Sequence, residues 1–379
     1  MTEMDVASMI LAGDRLALAR TLTQVENGTH QGIAALNALF PYTGKAHLIG
    51  VTGASGTGKS SLVNQLVRYY RQQTRQTALA EHGTTTTQHG ATQQSLPNPT
   101  DSGPSQAEGP CRVAVVAVDP TSPFSGGAIL GDRIRMRDLA GDPGVFIRSM
   151  ATRGSLGGIA SATGAIAQVL DAAGFDLILI ETVGAGQSEV EIARLADTTI
   201  VVEAPGLGDD IQAIKAGILE IADVLVVNKA DLPGADNTER ALRGSLGLSR
   251  PFRPAGQLVH RVEHHGHLVT ITEPTHKAEP TDLVWVPPII RTVALDGRGV
   301  PELAEAIMAH RKYLERTGAW GLRERGRLQT ELDLLLQNRL LADFRSRLAD
   351  GEYETALEEV LERRISPFQA VEELVNKHR

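Results

Sequence analysis

One stretch restricts the possible folds more than any other: Gly53-Ala54-Ser55-Gly56-Thr57-Gly58-Lys59-Ser60. An apolar run, His47–Thr52, precedes it, and a helix-like stretch, Ser61–Arg71, follows it. Strand, glycine loop and helix in that order make a phosphate-binding loop. Glycines let the backbone curl until successive N–H groups converge on phosphate oxygens. The helix that begins at Ser60 and Ser61 adds its positive end. Lys59 is placed to reach the β- and γ-phosphates of a nucleoside triphosphate. The Ser60 hydroxyl is placed to hold Mg²⁺.

The rest of the chain has to supply the sheet for such a loop. With 379 residues, 42% hydrophobic and 22% charged, it has room for a full core and one smaller appended domain. A net charge of −8 argues against a general nucleic-acid binder. Cys111 is the only cysteine, which excludes an intrachain disulfide and a cysteine-based metal site within one chain. Met1–Arg20 has acidic residues and no long apolar centre, unlike a secretion signal. No apolar run approaches the roughly 20 residues of a membrane span, so no membrane partner and a cytoplasmic location are expected.

Helical periodicity over Ala7–Leu39 predicts two helices joined near Asn27–Gly28. Residues Thr74–Pro110 are of low complexity and almost free of apolar side chains, which predicts a disordered surface insertion. Strands are expected at Arg112–Val118, Val145–Ser149, Leu177–Ile180, Thr199–Val202, Val224–Val227 and Ile289–Ala294. Helices are expected at Gly157–Ala173, Ser188–Ala196, Asp210–Ile221, Arg240–Leu248 and Val300–Glu315. The alternation implies an α/β fold: a mostly parallel sheet covered by helices on both faces, with ligands at the carboxyl ends of its strands. Arg250–Pro288 reads as a second, irregular insertion, with His264 and His267 at a metal-compatible spacing but no helix or strand to frame them. From Trp320 the apolar residues keep helical spacing among Glu and Arg, which predicts helices at Leu322–Leu348, Tyr353–Arg363 and Pro367–Asn376. The expected organisation is N-terminal helices (1–44), a nucleotide domain (45–318) and a C-terminal helical arm for dimerisation (319–379).

Four further stretches narrow the chemistry. Asn228-Lys229-Ala230-Asp231 follows a strand and matches the Asn-Lys-x-Asp signature that reads guanine. The Asp231 carboxylate accepts from the ring N–H and exocyclic amine of guanine, a donor pair that adenine lacks. Asn228 fixes the base and loop, and the Lys229 stem covers the ring. Ala294, in Thr292–Leu295, is the residue that fits as a backbone donor to the guanine oxygen. Asp119 ends a strand and opens a Pro- and Gly-rich loop that reaches Asp132; both carboxylates can approach Mg²⁺, a hard ion suited to oxygen ligands. Glu181 ends another strand at the Walker B position, and Gly184 can offer its N–H to the γ-phosphate. Gln187 follows, at a spacing that does not establish water positioning. Asp209, Gln212 and Lys215 lie in a glycine loop and helix start after the fifth strand, with Gln212 and Lys215 on one helix face.

Together these residues resemble the G3E branch of P-loop GTPases, and within it the MeaB/ArgK group. The resemblance rests on Val118-Asp119-Pro120, Gly126-Gly127-Ala128-Ile129-Leu130-Gly131-Asp132-Arg133, Met150–Gly158, Glu181–Glu189, Gly208–Lys215 and Asn228–Asp231, and spans about Leu11–Glu315. It implies a GTPase that binds GTP or GDP with Mg²⁺, with Asp119, Asp132 and Glu181 as metal-site carboxylates. The loops holding Asp119–Asp132, Glu181–Gln187 and Gly206–Lys215 are implied as switches. It also implies a homodimer formed through the C-terminal helices. The partner would be an adenosylcobalamin-dependent acyl-CoA mutase such as methylmalonyl-CoA mutase, for which the group acts as chaperone. Ser55 departs from the proline often found in the group, and both insertions look longer than the group requires. Two other expectations compete: a GTPase metallochaperone for nickel or zinc using His260–His267, and a kinase acting on a transport protein.

Overall fold

The structure is a computed structural model, which describes residues 3–82, 111–120, 136–139, 141–152, 158–182, 188–206, 220–248 and 284–378. Among them the first helices are α1 (Glu3–Leu11), α2 (Arg15–Glu26) and α3 (His30–Leu39). Three helices thus stand where periodicity predicted two. The extra break falls at Gly13, with φ +89°, followed by Asp14, whose carboxylate caps α2 by accepting from Leu16 N and Ala17 N at 2.8 and 2.9 Å. Apolar periodicity runs across such a break because all three helices bury one side on the same core.

Strand β1 (His47–Thr52) leads through the glycine loop into α4 (Lys59–His82). This helix continues well past Arg71, so Thr74–His82 is helical rather than part of an insertion. Its Gln, Arg, Ala and Leu residues are good helix formers despite their low apolar content. The remainder of the first insertion, 83–110, lies outside the described residues. Then follow β2 (Val113–Pro120), β3 (Val145–Thr152), α5 (Gly158–Ala172), β4 (Leu177–Thr182), α6 (Ser188–Leu195), β5 (Thr198–Glu203), β6 (Val224–Val227), α7 (Ala235–Leu248), β7 (Ile289–Arg291) and α8 (Val300–Thr317). The helix expected at Asp210–Ile221 falls largely outside the described residues. The last strand is shorter than predicted. Val293 turns away to form an antiparallel bridge with Arg298.

Among the described residues the seven strands form one parallel sheet in the order β3-β2-β4-β1-β5-β6-β7. The side-chain period of two then sorts the core onto both faces. Leu48, Ala114, Val116, Ile178 and Ile180 face α5, α6 and the N-terminal helices, where Ile10, Leu18, Leu22 and Leu39 are buried. Ile49, Val51, Val113, Val115, Leu177 and Leu179 face α4 and α8. Each such side chain contributes about 1.5–3 kcal/mol when fully buried, so burial on both faces outweighs strand propensity here.

The amino ends of the central strands are held by a buried polar network. The Asp223 carboxylate, just before β6, accepts from Arg323 at 2.8 and 2.9 Å and from Thr199 N at 2.8 Å. The Thr198 hydroxyl meets His47 Nε2 at 2.7 Å and His310 Nδ1 at 2.9 Å. A hydroxyl carries one proton, so at least one of the two imidazoles donates to it. Trp285 Nε1 donates to Asp223 O at 2.8 Å, which returns the end of the second insertion to the body of the fold. Burial pushes His310 down to about 4, against the pull of Asp223 at 3.3 Å. Burial, reinforced by Arg311, also holds His47 well below its ordinary value.

The sign of the resulting pH dependence follows. Between about pH 6.5 and 4 the unfolded chain binds protons at His310 that the folded chain does not, so stability is lost as pH falls through that window. The expected loss is on the order of 2–3 kcal/mol for His310 by pH 4. Thermal denaturation across that range should show it, with a shallower slope in His310→Gln. An unchanged slope would place the titration elsewhere.

The chain divides into two compact units, Met1–Gly326 and Arg327–Arg379. The helix α9 (Ala319–Arg345) crosses that division, and α10 (Glu352–Leu361) and α11 (Pro367–Lys377) belong to the second unit. Within the second unit, Ser366 and Gln369 form a capping box for α11. Leu332, Leu335, Leu336, Leu340, Leu341, Phe368 and Val371 are all more than half exposed there. Among the described residues no helix is long and apolar enough to cross a membrane.

Candidate functional site

The phosphate loop sits between the carboxyl ends of β1 and β5. Gly53, with φ +134°, passes so near β5 that an added Cβ would lie 2.1 Å from the Val202 carbonyl oxygen. Only glycine fits there. Ala54, Ser55 and Gly56 are exposed at the tip, whereas Thr57, Lys59 and Ser60 are buried. Lys59 Nζ donates to Gly53 O at 2.8 Å and Ala54 O at 2.9 Å, so the ammonium lies in the concavity of the loop. The amino end of α4, from Lys59 through Ser61, begins at the same point and directs its N–H groups and dipole there.

The structure brings Ser60 and Glu181 into direct contact. The Ser60 hydroxyl donates to Glu181 Oε1 at 2.6 Å, both side chains being buried. Glu181 and the neighbouring Thr182 point to opposite faces of the sheet. Thr182 donates to the Thr52 hydroxyl at 3.1 Å. Asp119 is the penultimate residue of β2, one beyond the Val118–Thr182 pair with β4, and its backbone is in register with Ala151 of β3. The Asp119 side chain, Asp132, Gly184, Gln187, Asp209, Gln212 and Lys215 lie outside the described residues, as do His260–His267. Among the described residues no group of three or more His, Cys, Asp or Glu side chains gathers.

Asn228 joins the guanine-reading segment to the loop. Its Nδ2 donates to Thr57 O at 2.7 Å, and its Oδ1 accepts from Thr292 Oγ1 and Ala294 N, each at 3.1 Å. An added Cβ on Gly58 would lie 2.4 Å from that Nδ2, so this glycine makes the approach feasible. Lys229 adopts φ +55°, a left-handed conformation costing about 1–2 kcal/mol for a non-glycine residue. It is held by Asn228 N on Glu203 O, Ala230 N on Thr292 O and its own Nζ on Gly56 O at 2.8 Å. Asp231 is exposed beside it. The Ala294 N–H, expected to face a guanine oxygen, is directed at Asn228 in this structure.

The family model for Methylmalonyl Co-A mutase-associated GTPase MeaB matches residues 18–92 and 105–349. The chain belongs to the MeaB family. Like that family it is a P-loop GTPase, binding the guanine nucleotide and hydrolysing GTP. A GTPase-designated protein of Pyrococcus horikoshii is 39% identical over 365 residues, covering 96% of this chain and 95% of that one. The GTPase ArgK of Escherichia coli is 33% identical over 310 residues, covering 81% and 75%. The crystal structure of LAO/AO transport system kinase aligns over 99% of this chain and 97% of that one, with a TM-score of 0.58 and 24% identity, which speaks to the fold.

Membership of the MeaB family accords with the motifs from which the resemblance was drawn. Sequence reasoning missed Thr52, Thr182 and Thr292. Thr52 and Thr182 end β1 and β4, and Thr292 directly follows β7; in each place threonine reads as an ordinary β-branched strand former. The available signal was position: Thr52 and Thr182 are the last strand residues before a loop of the site.

Proposed function

We propose that this GTPase serves a coenzyme B12-dependent acyl-CoA mutase as a chaperone, gating cofactor delivery or protecting the loaded enzyme. The observation that supports it is the convergence of the phosphate loop, Glu181 and Asn228 at the carboxyl ends of interior strands, in a chain whose family is described as mutase-associated. Ser60 Oγ and Glu181 Oε1 are hard oxygen donors at a helix amino end, a donor set that fits Mg²⁺. Asp119 and Asp132 would complete it. When bound, the ion neutralises charge on the β- and γ-phosphate oxygens. The protein's own part is positional: the loop N–H groups and Lys59 hold the phosphates, and Asp231 selects the base. Gln187, Asp209, Gln212 and Lys215 belong to segments that would be ordered by the γ-phosphate and released on hydrolysis.

The exposed apolar side chains of the second unit would pack against a second copy, giving a homodimer; with Leu361, eight of them on so small a unit are more than half exposed, beyond what a solvated surface needs. The deciding experiment measures hydrolysis of GTP against ATP, then mutase half-life during turnover with and without the protein and GTP. Preference for GTP and a longer mutase half-life are expected. Equal use of ATP, or no effect on any acyl-CoA mutase offered, overturns the proposal.

A further inference from the structure

We infer that Thr52 and Thr182 form a cross-strand pin that positions Glu181 against Ser60, making both threonines positioning residues for GTP hydrolysis. The inference rests on reading Ser60 and Glu181 as the metal-holding pair. Strands β1 and β4 are central and parallel, with Val51 in register with Glu181, so Thr52 and Thr182 are the next pair along. Beyond that pair both strands leave the sheet, β1 into the phosphate loop and β4 into the segment holding Gly184. The ladder therefore ends where positional accuracy matters most.

The alternation of side chains gives the pin its leverage. Glu181 follows the parity of Leu177 and Leu179, which face α4, and it meets Ser60 on that side. Thr182 follows Ile178 and Ile180, which face α5 and α6. Thr52 follows Leu48 and Gly50 onto the same face, where an added Cβ on Gly50 would strike Ile192 of α6 at 2.4 Å. The end of β4 is thus held from above by Ser60–Glu181 and from below by Thr182–Thr52. Both threonines are almost fully buried, at 0% and 1% exposure. The 3.1 Å contact pairs two hydroxyls in a dry environment, where an unmade hydrogen bond is costly. Valine in either place would satisfy packing and strand propensity equally well, so the hydroxyls are what require explanation.

The test uses Thr182→Val, Thr182→Ser, Thr52→Val and the double valine variant in the full chain, with Glu181→Gln in parallel. Hydrolysis at saturating GTP, its Mg²⁺ half-saturation and the melting temperature are measured for each. Thr182→Val is expected to lower kcat by about tenfold and to raise the Mg²⁺ half-saturation, because small misplacements of positioned groups carry large rate costs. Thr182→Ser should restore most of that loss, and the double variant should be no worse than the weaker single variant. A valine variant that changes only the melting temperature overturns the inference, as does a serine variant as impaired as valine, or additive losses in the double variant. If Glu181→Gln leaves the Mg²⁺ dependence unchanged, the metal reading fails. The pin is then still judged by the valine–serine difference in kcat.

Discussion

Replacing Lys59 by alanine is expected to lower GTP hydrolysis by about 10²–10³-fold, the usual cost of losing one preorganised charge aimed at a reacting group. The ammonium donates to Gly53 O and Ala54 O within the loop. A phosphate oxygen is a stronger acceptor than either carbonyl, because it carries a full negative charge to meet the ammonium where a carbonyl carries only a partial one. The same side chain can therefore brace the loop and turn to a triphosphate without moving its backbone. Lys59→Arg should not rescue activity, since a planar fork does not fit a concavity shaped around a compact ammonium. Single-turnover hydrolysis at saturating GTP measures the effect. An alanine variant within a few-fold of wild type would mean that the phosphates bind elsewhere.

Asp223→Ala should be the most destabilising single change at the other end of the sheet. It removes the acceptor for two of the Arg323 bonds and for Thr199 N, and leaves a buried guanidinium without its paired carboxylate, with the Asp197 carbonyl still accepting from it. Breaking such a pair costs about 3–5 kcal/mol. For a domain of this size that corresponds to a fall of roughly 10 °C in melting temperature. The second variant Asp223→Ala/Arg323→Met should recover part of the loss, because it removes the stranded charge as well. Calorimetry compares the three proteins. A double variant no more stable than Asp223→Ala would show that burial of charge is not the cause. GTP hydrolysis, measured where all three are folded, should be unaffected, since Asp223 lies at the amino ends of the strands and the nucleotide site at their carboxyl ends.

The fold was legible wherever local pattern and tertiary role coincide. Val224–Val227 is buried on both faces and reads as a continuous apolar run, so its bounds were recovered as predicted. The extent of α4 beyond Arg71 was not legible, because a polar stretch of good helix formers looks the same whether it continues a helix or forms a loop. The break at Gly13–Asp14 was masked by apolar residues that keep a common face on both sides of it. At the site, Gly53–Ser60, Glu181 and Asn228 were legible because phosphate and guanine recognition fix residue types at fixed offsets. The direction of the Ala294 N–H was not, because it depends on a side chain 66 positions away. The polar network of His47, Thr198, Asp223, His310 and Arg323 was equally hidden: its members come from five separate elements and have no common spacing.

The strand order carries a consequence for how the molecule is made. Thr52 finds its partner Thr182 across 130 residues, and Thr57 meets Asn228 across 171. During synthesis the glycine loop leaves the ribosome early, yet of the strands that shape it β4 lies near the middle of the chain and β5 and β6 lie in its second half. A nascent chain ending before Asn228 has the loop sequence without its frame, and it should not retain GTP. Intervening sequence adds little to the thermodynamic cost of this closure, about 0.6 kcal/mol for each doubling of loop length. It delays assembly instead, since distant contacts form last. Guanine-nucleotide capture is therefore a late event in the life of each molecule, and a nucleotide-bound chain is one whose central sheet is already complete.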